Sequence, residues 1–303
     1  MNYTTLISVE QLQTLIASRD PLRIFDCSFE LLEPRAGHKH YLASHIPASV
    51  YADLETVLSA RHGVNPARLG AGAVITVSGA DAPASGGRHP LPNRERLAVW
   101  LSSVGFDNRM QAVVYDRNGA NYCGRLWWML KWAGHENVAV LDGGLQAWQA
   151  AGGAVSSGEE PAHFQASFVP RIPLARLVDA EAVTLGLKGD KQTLIDARAT
   201  ARFDGKIEPL DPVAGHIPGA LSRPFRENLL ANGTFKRAAQ LRSEFEVLLD
   251  GRNPADVIHY CGSGVSALPN LIAMEVAGLG RGSLYAGSWS DWCSNSARPT
   301  TRS

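Results

Sequence analysis

A cysteine followed by small residues is the feature of this sequence best suited to chemistry. Cys261 and the Gly-Ser-Gly run at 262–264 lie between the β-branched and aromatic segment Val257–Tyr260 and the helically spaced apolar segment Val265–Ala277. This order predicts a turn from a buried strand into a helix. Free N–H groups and the helix dipole favour a thiolate there, and glycine lets the backbone curl around it. We predict a nucleophilic cysteine; the alternative is a buried structural thiol.

Strands and helices alternate along the chain, and their order occurs twice. The matching segments are 22–26 with 194–198, 45–48 with 215–220, 113–116 with 257–261, and 141–148 with 285–292. A repeat of this length indicates two copies of one α/β unit, with parallel strands and helices on both faces of each sheet. We predict domains at 1–150 and 173–303, joined by a Gly-, Ser-, Glu- and Pro-containing linker at 151–172.

The segment Cys261–Ala267, Cys-Gly-Ser-Gly-Val-Ser-Ala, resembles the active-site loop of the rhodanese superfamily of sulfurtransferases. It is most similar to the 3-mercaptopyruvate sulfurtransferase form of that loop, with Ser266 where threonine is usual. The repeat and the flanking motifs extend the resemblance over nearly the whole chain. The resemblance implies an α/β fold of two tandem rhodanese-like domains.

The resemblance also implies a reaction. Cys261 would take a sulfur atom from a small donor, hold it as a persulfide and pass it on in ping-pong order. The implied donor is 3-mercaptopyruvate, with thiosulfate as the alternative, and the acceptor is cyanide or a thiol such as thioredoxin or a small thiol. No metal or organic cofactor is needed. Backbone N–H groups would stabilise the anionic sulfur from the loop residues Gly262, Ser263, Gly264, Val265 and Ser266.

The repeat predicts that only the second unit carries the chemistry. Asp116 stands where the second unit has Cys261, and an aspartate cannot carry sulfur. We therefore expect a catalytically silent first domain that is still needed to close the cleft, since sites commonly form between domains.

Arginine side chains are the predicted donor contacts. The segment 196–203, Asp-Ala-Arg-Ala-Thr-Ala-Arg-Phe, matches a family pattern in which the second arginine, here Arg202, faces the anionic donor. A planar guanidinium suits a carboxylate or sulfonate. Mercaptopyruvate enzymes usually carry a further arginine after Glu-Pro, but residues 210–214 contain none. The second contact is then missing or comes from another residue such as Arg198.

The resemblance points to two further residues on the first-domain side of the cleft. Asp53 aligns with a family aspartate, and His89 is the candidate for a family histidine. An Asp–His pair that reaches Ser263 would relay protons to the substrate.

Composition limits the partners. A formal net charge of zero does not favour nucleic acid or an anionic membrane, and no apolar run approaches the roughly 20 residues of a membrane span. The N-terminus has neither a basic start nor an apolar signal core. The four cysteines match no zinc motif and indicate free thiols in a reducing compartment, so we expect a cytoplasmic protein without a metal.

Two other functions compete with sulfur transfer for a cysteine loop of this kind. A phosphatase or arsenate reductase of the related cell-cycle type needs an arginine six residues after the cysteine, where this chain has Ala267. A non-catalytic rhodanese-like binding module would be favoured by loss of the second cysteine, but Cys261 is retained.

Overall fold

The computed structural model describes residues 2–60, 82–162, 164–189 and 191–303. Part of the predicted surface excursion at 59–92 therefore lies outside the described residues. In chain order, the first half contains β1 (Leu6–Ile7), α1 (Val9–Ser18), β2 (Leu22–Asp26), α2 (Pro34–Ala43), β3 (Val50–Tyr51), α3 (Arg94–Ser103), β4 (Gln111–Tyr115), α4 (Cys123–Trp132), β5 (Val138–Leu141) and α5 (Gly144–Ala150).

The second half repeats this pattern of strands and helices. Its elements are β6 (Arg176–Val178), α6 (Ala180–Gly186), β7 (Thr193–Asp196), α7 (Thr200–Phe203), β8 (Leu221–Ser222), a 3-10 helix (Phe225–Asn228), α8 (Ala238–Leu249), a second 3-10 helix (Pro254–Asp256), β9 (Val257–Tyr260), α9 (Leu268–Val276), β10 (Ser283–Tyr285) and α10 (Ser288–Trp292).

The described strands form two five-stranded parallel sheets. Their orders are β1-β5-β4-β2-β3 and β6-β10-β9-β7-β8, so each strand of the second sheet takes the place of the strand five earlier in the first. The central pair has the same register in both sheets, with Asp26 opposite Tyr115 and Asp196 opposite Tyr260. The predicted α/β fold with two copies of one unit is confirmed.

Local sequence signals set several helix ends. Ser8 caps α1 in a reciprocal capping box with Gln11, and Asn93 caps α3 through the N–H of Arg96 at 2.8 Å. Helix α9 begins at Leu268, three residues later than its apolar pattern suggested. Pro269 explains the delay, because proline suits the first helical turn and disfavours helical backbone just before it.

The largest apolar cluster joins the two halves. It contains Leu126 of α4 together with Leu268 and Ile272 of α9, all fully buried. Gly124 allows the two helices to approach, since a Cβ at that position would lie 3.1 Å from Cβ of Leu268. The helices that follow the two central strands therefore pack directly on each other at the boundary between the two halves.

The predicted linker at 151–172 is bound to the first half. Ser156 forms an isolated antiparallel bridge with His45, and the N–H of Ala166 donates to the carbonyl of Ser102 at 2.9 Å. These hydrogen bonds hold the described residues of the segment against the first half, unlike a flexible interdomain spacer. No helix within the described residues is long and apolar enough to cross a bilayer.

Candidate active site

The loop that carries the predicted nucleophile, here called the nucleophile loop, begins at the carboxyl end of the central strand β9. Cys261 follows Tyr260 and is 2% exposed. Its N–H donates to Oγ of Ser288 at 3.0 Å, and its carbonyl accepts the N–H of Trp289 at 2.9 Å. The carbonyl of Gly262 accepts the N–H of Ser290, also at 2.9 Å. The start of α10 thus fixes the backbone on which Cys261 is carried.

One glycine of the loop is required by its backbone. Gly264 has φ +73°, and a Cβ there would lie 2.8 Å from both Cα and the carbonyl carbon of Ala286. Any side chain would overlap the main chain that follows β10, in a conformation that L residues rarely adopt. Gly264 therefore brings the loop down onto the neighbouring strand end.

The backbone N–H groups of the loop differ from those of its surroundings in their hydrogen bonding. Within the described residues, the N–H groups of 262–267 donate to no protein acceptor. Buried N–H groups are normally paired, so a run of this kind marks an anion site.

In the first half, the backbone N–H groups of the equivalent loop, which follows β4, donate to a side chain. Asp116 follows β4 as Cys261 follows β9, and in each case the helix starts seven residues later. The carboxylate of Asp116 accepts four backbone N–H groups of its own loop, at 2.8–3.1 Å: those of Asn118, Ala120, Tyr122 and Cys123. From the repeat, we expect the N–H groups of the second loop to face the Cys261 side chain in the same way. In the first half the aspartate occupies the anion site itself.

His89 and Ser263 come together as predicted. The Nδ1 atom of His89 lies 2.7 Å from Oγ of Ser263, and both residues are buried. Asp53 does not join them. Its carboxylate accepts the N–H groups of Glu55 and Thr56 at 2.9 and 2.8 Å, and hydrogen bonds from the hydroxyls of Thr56 and Tyr51. These contacts cap the local turn, so a catalytic Asp53 would need the carboxylate to leave them.

Arg125 is a residue of this site that the sequence analysis missed. It is fully buried in α4 and donates to the carbonyls of Gly264 at 3.0 Å, His89 at 2.7 Å and Leu58 at 3.2 Å. Burial lowers the pKa of Arg125 to about 10, and negative charge on Cys261 opposes that shift. A cation from the first half thus supports the nucleophile loop and the histidine segment. A charged residue inside an apolar helical run was the available signal.

Arg202, the predicted donor contact, lies beside Gly262 within a group of charged side chains. Its Nε and Nη2 donate to Glu208 at 3.1 and 2.6 Å, and Nη2 also donates to Asp211 at 3.1 Å. Burial alone would raise the pKa of Glu208, but the hydrogen bonds from Arg202 keep it below its usual value. Arg88, from the first half, donates through Nη1 to Asp211 at 2.5 Å.

Most N–H groups of Arg198 already donate to protein acceptors, so few are left to bind a sulfur-donor molecule. Its guanidinium is 2% exposed, pairs with both oxygens of Asp196 and stacks over Trp289 with Cζ 4.8 Å from the ring centroid. Burial opposes its charge, but the paired Asp196 raises the pKa of Arg198 above its usual value. This geometry ties β7 to the surrounding loops and does not support the predicted donor contact of Arg198.

The other three thiols lie in environments that disfavour ionisation. Burial raises the pKa of Cys27 and Cys123 well above the ordinary value, reinforced by Asp26 and Asp116 respectively. Burial also raises the pKa of Cys293 to about 11. No group of three or more His, Cys, Asp or Glu side chains suited to a metal ion occurs among the described residues.

The fold and this loop define a family. The model of the rhodanese-like domain matches residues 8–151 and again residues 179–295. The chain belongs to the rhodanese family, with two copies of its domain.

Full-length relatives are similar over both copies. A Pseudomonas aeruginosa protein described as a probable 3-mercaptopyruvate sulfurtransferase is 41% identical and covers 99% of this chain and 98% of its own. Mouse thiosulfate sulfurtransferase is 30% identical, with coverages of 99% and 95%. The crystal structure of SseA from Escherichia coli, titled as a 3-mercaptopyruvate sulfotransferase, is 28% identical with a TM-score of 0.74, covering 95% of this chain and all of SseA.

Proposed function

We propose that this protein transfers a sulfane sulfur from 3-mercaptopyruvate to a thiol or to cyanide through a persulfide on Cys261. The proposal is supported by the position of Cys261 at the start of a loop whose backbone N–H groups, at 262–267, donate to no acceptor within the described residues. The equivalent loop in the first half already holds a carboxylate, that of Asp116. An anionic sulfur on Cys261 would receive the same stabilisation.

The reaction divides into two displacements. Sγ of the Cys261 thiolate attacks the donor's sulfur and an S–S bond forms. The donor's C–S bond breaks, and its electron pair passes to the methylene carbon, which gives the enolate of pyruvate. The donor's thiol proton is relayed through Ser263 and His89 to that carbon and completes pyruvate. The acceptor thiolate or cyanide then attacks the outer sulfur, and Cys261 leaves as the thiolate.

The charges around the loop favour a donor with one negative charge. Arg88 and Arg202 stand opposite Glu208 and Asp211, so the positive charge near Gly262 is largely balanced. A second negative charge on the donor gains little in such a site. Mercaptopyruvate carries one charge and thiosulfate two, which supports the first as the preferred donor. Thiosulfate remains the alternative, since mouse thiosulfate sulfurtransferase is among the relatives.

The two halves divide the work in this proposal. The domain at 1–150 is catalytically silent because Asp116 fills its loop, the segment 151–172 is the linker, and the domain at 173–303 carries the nucleophile. Support comes from His89 and Arg125, which reach from the first half to the second. We further propose thioredoxin or a small thiol as the cellular acceptor and a cytoplasmic location, in line with four unpaired cysteines.

Intact mass spectrometry tests the proposal directly. The wild-type protein, incubated with 3-mercaptopyruvate or thiosulfate at equal concentration, is expected to gain one sulfur atom and to load faster from 3-mercaptopyruvate. Cyanide should then remove the added sulfur as thiocyanate. A protein that gains no sulfur from either donor contradicts sulfur transfer, and faster loading from thiosulfate favours the alternative donor.

A further inference from the structure

Two guanidinium groups from different halves of the molecule lie against the residue after the nucleophile. A Cβ atom placed on Gly262 would be 3.2 Å from Nη2 of Arg88 and 3.3 Å from Nη1 of Arg202. Arg202 belongs to α7, whereas Arg88 lies in the segment that precedes α3 of the first half. Two guanidinium groups therefore lie at the loop, each paired with an acidic side chain, although the loop's own residues are uncharged.

Asp211 fixes the relative position of the two arginines. Its Oδ1 accepts Nη1 of Arg88 at 2.5 Å, and its Oδ2 accepts Nη2 of Arg202 at 3.1 Å. The Asp211 side chain is only 4% exposed, and its backbone N–H donates to Glu208. The bridging carboxylate thus holds two cations side by side that would otherwise repel each other.

The nitrogens nearest Gly262 are the ones without protein acceptors. Arg88 uses Nη1 for Asp211, and Arg202 uses Nε and Nη2 for its acidic partners. Within the described chain, Nη2 of Arg88 and Nη1 of Arg202 donate to no protein group, and Nε of Arg88 is buried without an acceptor. Neighbouring guanidinium donors with free capacity suit an anion with two oxygens.

We propose that Arg88 is a substrate-binding residue, which with Arg202 holds the carboxylate of 3-mercaptopyruvate beside Gly262. This inference rests on the proposed function and names the second carboxylate contact. Residues 210–214 contain no arginine, and Arg198 is occupied by Asp196. The first domain supplies the contact instead.

The surrounding contacts place Arg88 for this role. Its N–H donates to Oγ of Ser290 at 2.9 Å, which attaches the segment to the start of α10. The next residue, His89, lies 2.7 Å from Ser263. Arg88 and the proposed proton relay therefore sit on adjacent residues, one facing the donor's carboxylate and the other its reacting end.

Steady-state kinetics with a charged and a neutral donor test the inference. We would measure kcat and KM for 3-mercaptopyruvate and for 1-mercaptopropan-2-one, which lacks the carboxylate. Arg88→Met should raise KM for 3-mercaptopyruvate roughly ten- to a hundredfold, the factor expected when a hydrogen bond to a charged group is lost. KM for the neutral donor should stay near the wild-type value, and Arg88→Lys should recover part of the loss. The control is Arg109→Met, since Arg109 is 87% exposed and pairs with Asp107.

Pyruvate separates this inference from the proposed function. Pyruvate keeps the donor's carboxylate, so calorimetric titration of the wild type and Arg88→Met measures the contact without turnover. We expect weaker pyruvate binding in Arg88→Met. Equal losses with both donors, or unchanged KM and pyruvate affinity, would overturn the role of Arg88. A wild-type protein that takes no sulfur from 3-mercaptopyruvate contradicts the proposed function, while pyruvate binding still decides whether Arg88 holds a carboxylate.

Discussion

At the scale of single residues, Cys261 differs from the other thiols in its surroundings and not in its burial. All four cysteines are buried and unpaired. Burial, reinforced by acidic neighbours, raises the pKa of Cys27, Cys123 and Cys293, whereas Cys261 begins a loop whose N–H groups at 262–267 have no acceptor within the described residues. Reactivity of a thiol follows this kind of environment.

Substitution of Cys261 should therefore affect sulfur transfer, whereas substitution of the other three cysteines should not. Cys261→Ser is expected to abolish both turnover and the gain of one sulfur atom by mass. Cys27→Ala, Cys123→Ala and Cys293→Ala should each load sulfur normally, because burial raises the pKa of each of these thiols and disfavours the thiolate. Circular dichroism would confirm folding of each variant. Stoichiometric, turnover-competent loading of Cys261→Ser would show that another residue carries the sulfur.

Local sequence was sufficient to select Cys261 as the proposed nucleophile but not to find all of its neighbours. Cys261 and Gly264 act through their own backbone turn, and a turn of this kind is encoded within a few residues. Arg88 and Asp211 are 123 positions apart and meet only when the two halves pack. No short-range pattern marks such a pair, so Arg88 became visible only in the structure.

At the scale of elements, α4 supports the site of the other domain through a single buried side chain. Arg125 reaches the carbonyls of Gly264 and His89 from α4. In Arg125→Met both carbonyls would lose their donor, at a cost of about 1–3 kcal/mol for each buried group left unsatisfied.

We expect Arg125→Met to lower kcat at least tenfold, because the loop and the histidine are no longer held together. Arg125→Lys should recover part of kcat, since an ammonium group can still reach one carbonyl. Stopped-flow loading of Cys261 and a thermal melt would be recorded for each variant. Wild-type loading rates in a folded Arg125→Met would rule out this supporting role.

The loop after β4 offers a different kind of test. Asp116→Asn keeps the shape of the side chain but removes the charge that accepts four N–H groups. We expect most of the activity to remain, while the free energy of unfolding falls by about 1.5–3 kcal/mol, as for one lost charged hydrogen bond. Urea unfolding and kcat/KM would be measured together. A loss of several orders of magnitude in kcat/KM would show that the first loop takes part in catalysis.

The elements themselves were largely predictable. The strands, the capped helices α1 and α3 and the repeat follow from short-range patterns that the structure retains. The start of α9 was not predictable from sequence, because the apolar spacing extends into a loop that Pro269 and the proposed anion site keep non-helical. Regular spacing of apolar residues indicates which residues are buried, and this loop is buried although it is not helical.

At the scale of the whole molecule, the two halves share one core. Leu268 and Ile272 pack against α4, and residues from both halves form the largest apolar cluster. A fragment that begins near residue 170 would expose this surface and would lose Arg88, His89 and Arg125. We expect it to retain little activity in the sulfur-transfer assay and to bind a hydrophobic dye. Full activity in the fragment would show that the second domain is self-sufficient.

Two buried histidines make the stability of the molecule depend on pH. Burial lowers the pKa of His135 to about 4 and that of His259 to about 3. The unfolded chain binds these protons near pH 6.5, whereas the folded chain does not. The free energy of unfolding is therefore unaffected by these two groups above about pH 6.5. It decreases as the pH falls towards 4, with a slope of up to ~1.4 kcal/mol per pH unit for each proton.

Urea unfolding of the wild type and His259→Met between pH 7 and pH 4 would measure this linkage. The variant should show a shallower decline in the free energy of unfolding, and exposed His40→Gln should follow the wild type. Identical slopes for the wild type and His259→Met would contradict the assignment of His259.

The aspartate that fills the first loop also provides an internal standard. In the proposed mechanism, one chain carries two versions of a single anion site, one occupied by the Asp116 carboxylate and one that would hold the persulfide of Cys261. Because the occupant of the first site is covalently attached, its removal in Asp116→Ala appears in the free energy of unfolding and needs no ligand titration. That difference estimates how much stabilisation a loop of this shape gives to a negative charge. The wild type should also gain free energy of unfolding when Cys261 forms its persulfide. Comparing that gain with the loss in Asp116→Ala would show whether the second loop stabilises the persulfide as strongly as the first loop stabilises the Asp116 carboxylate.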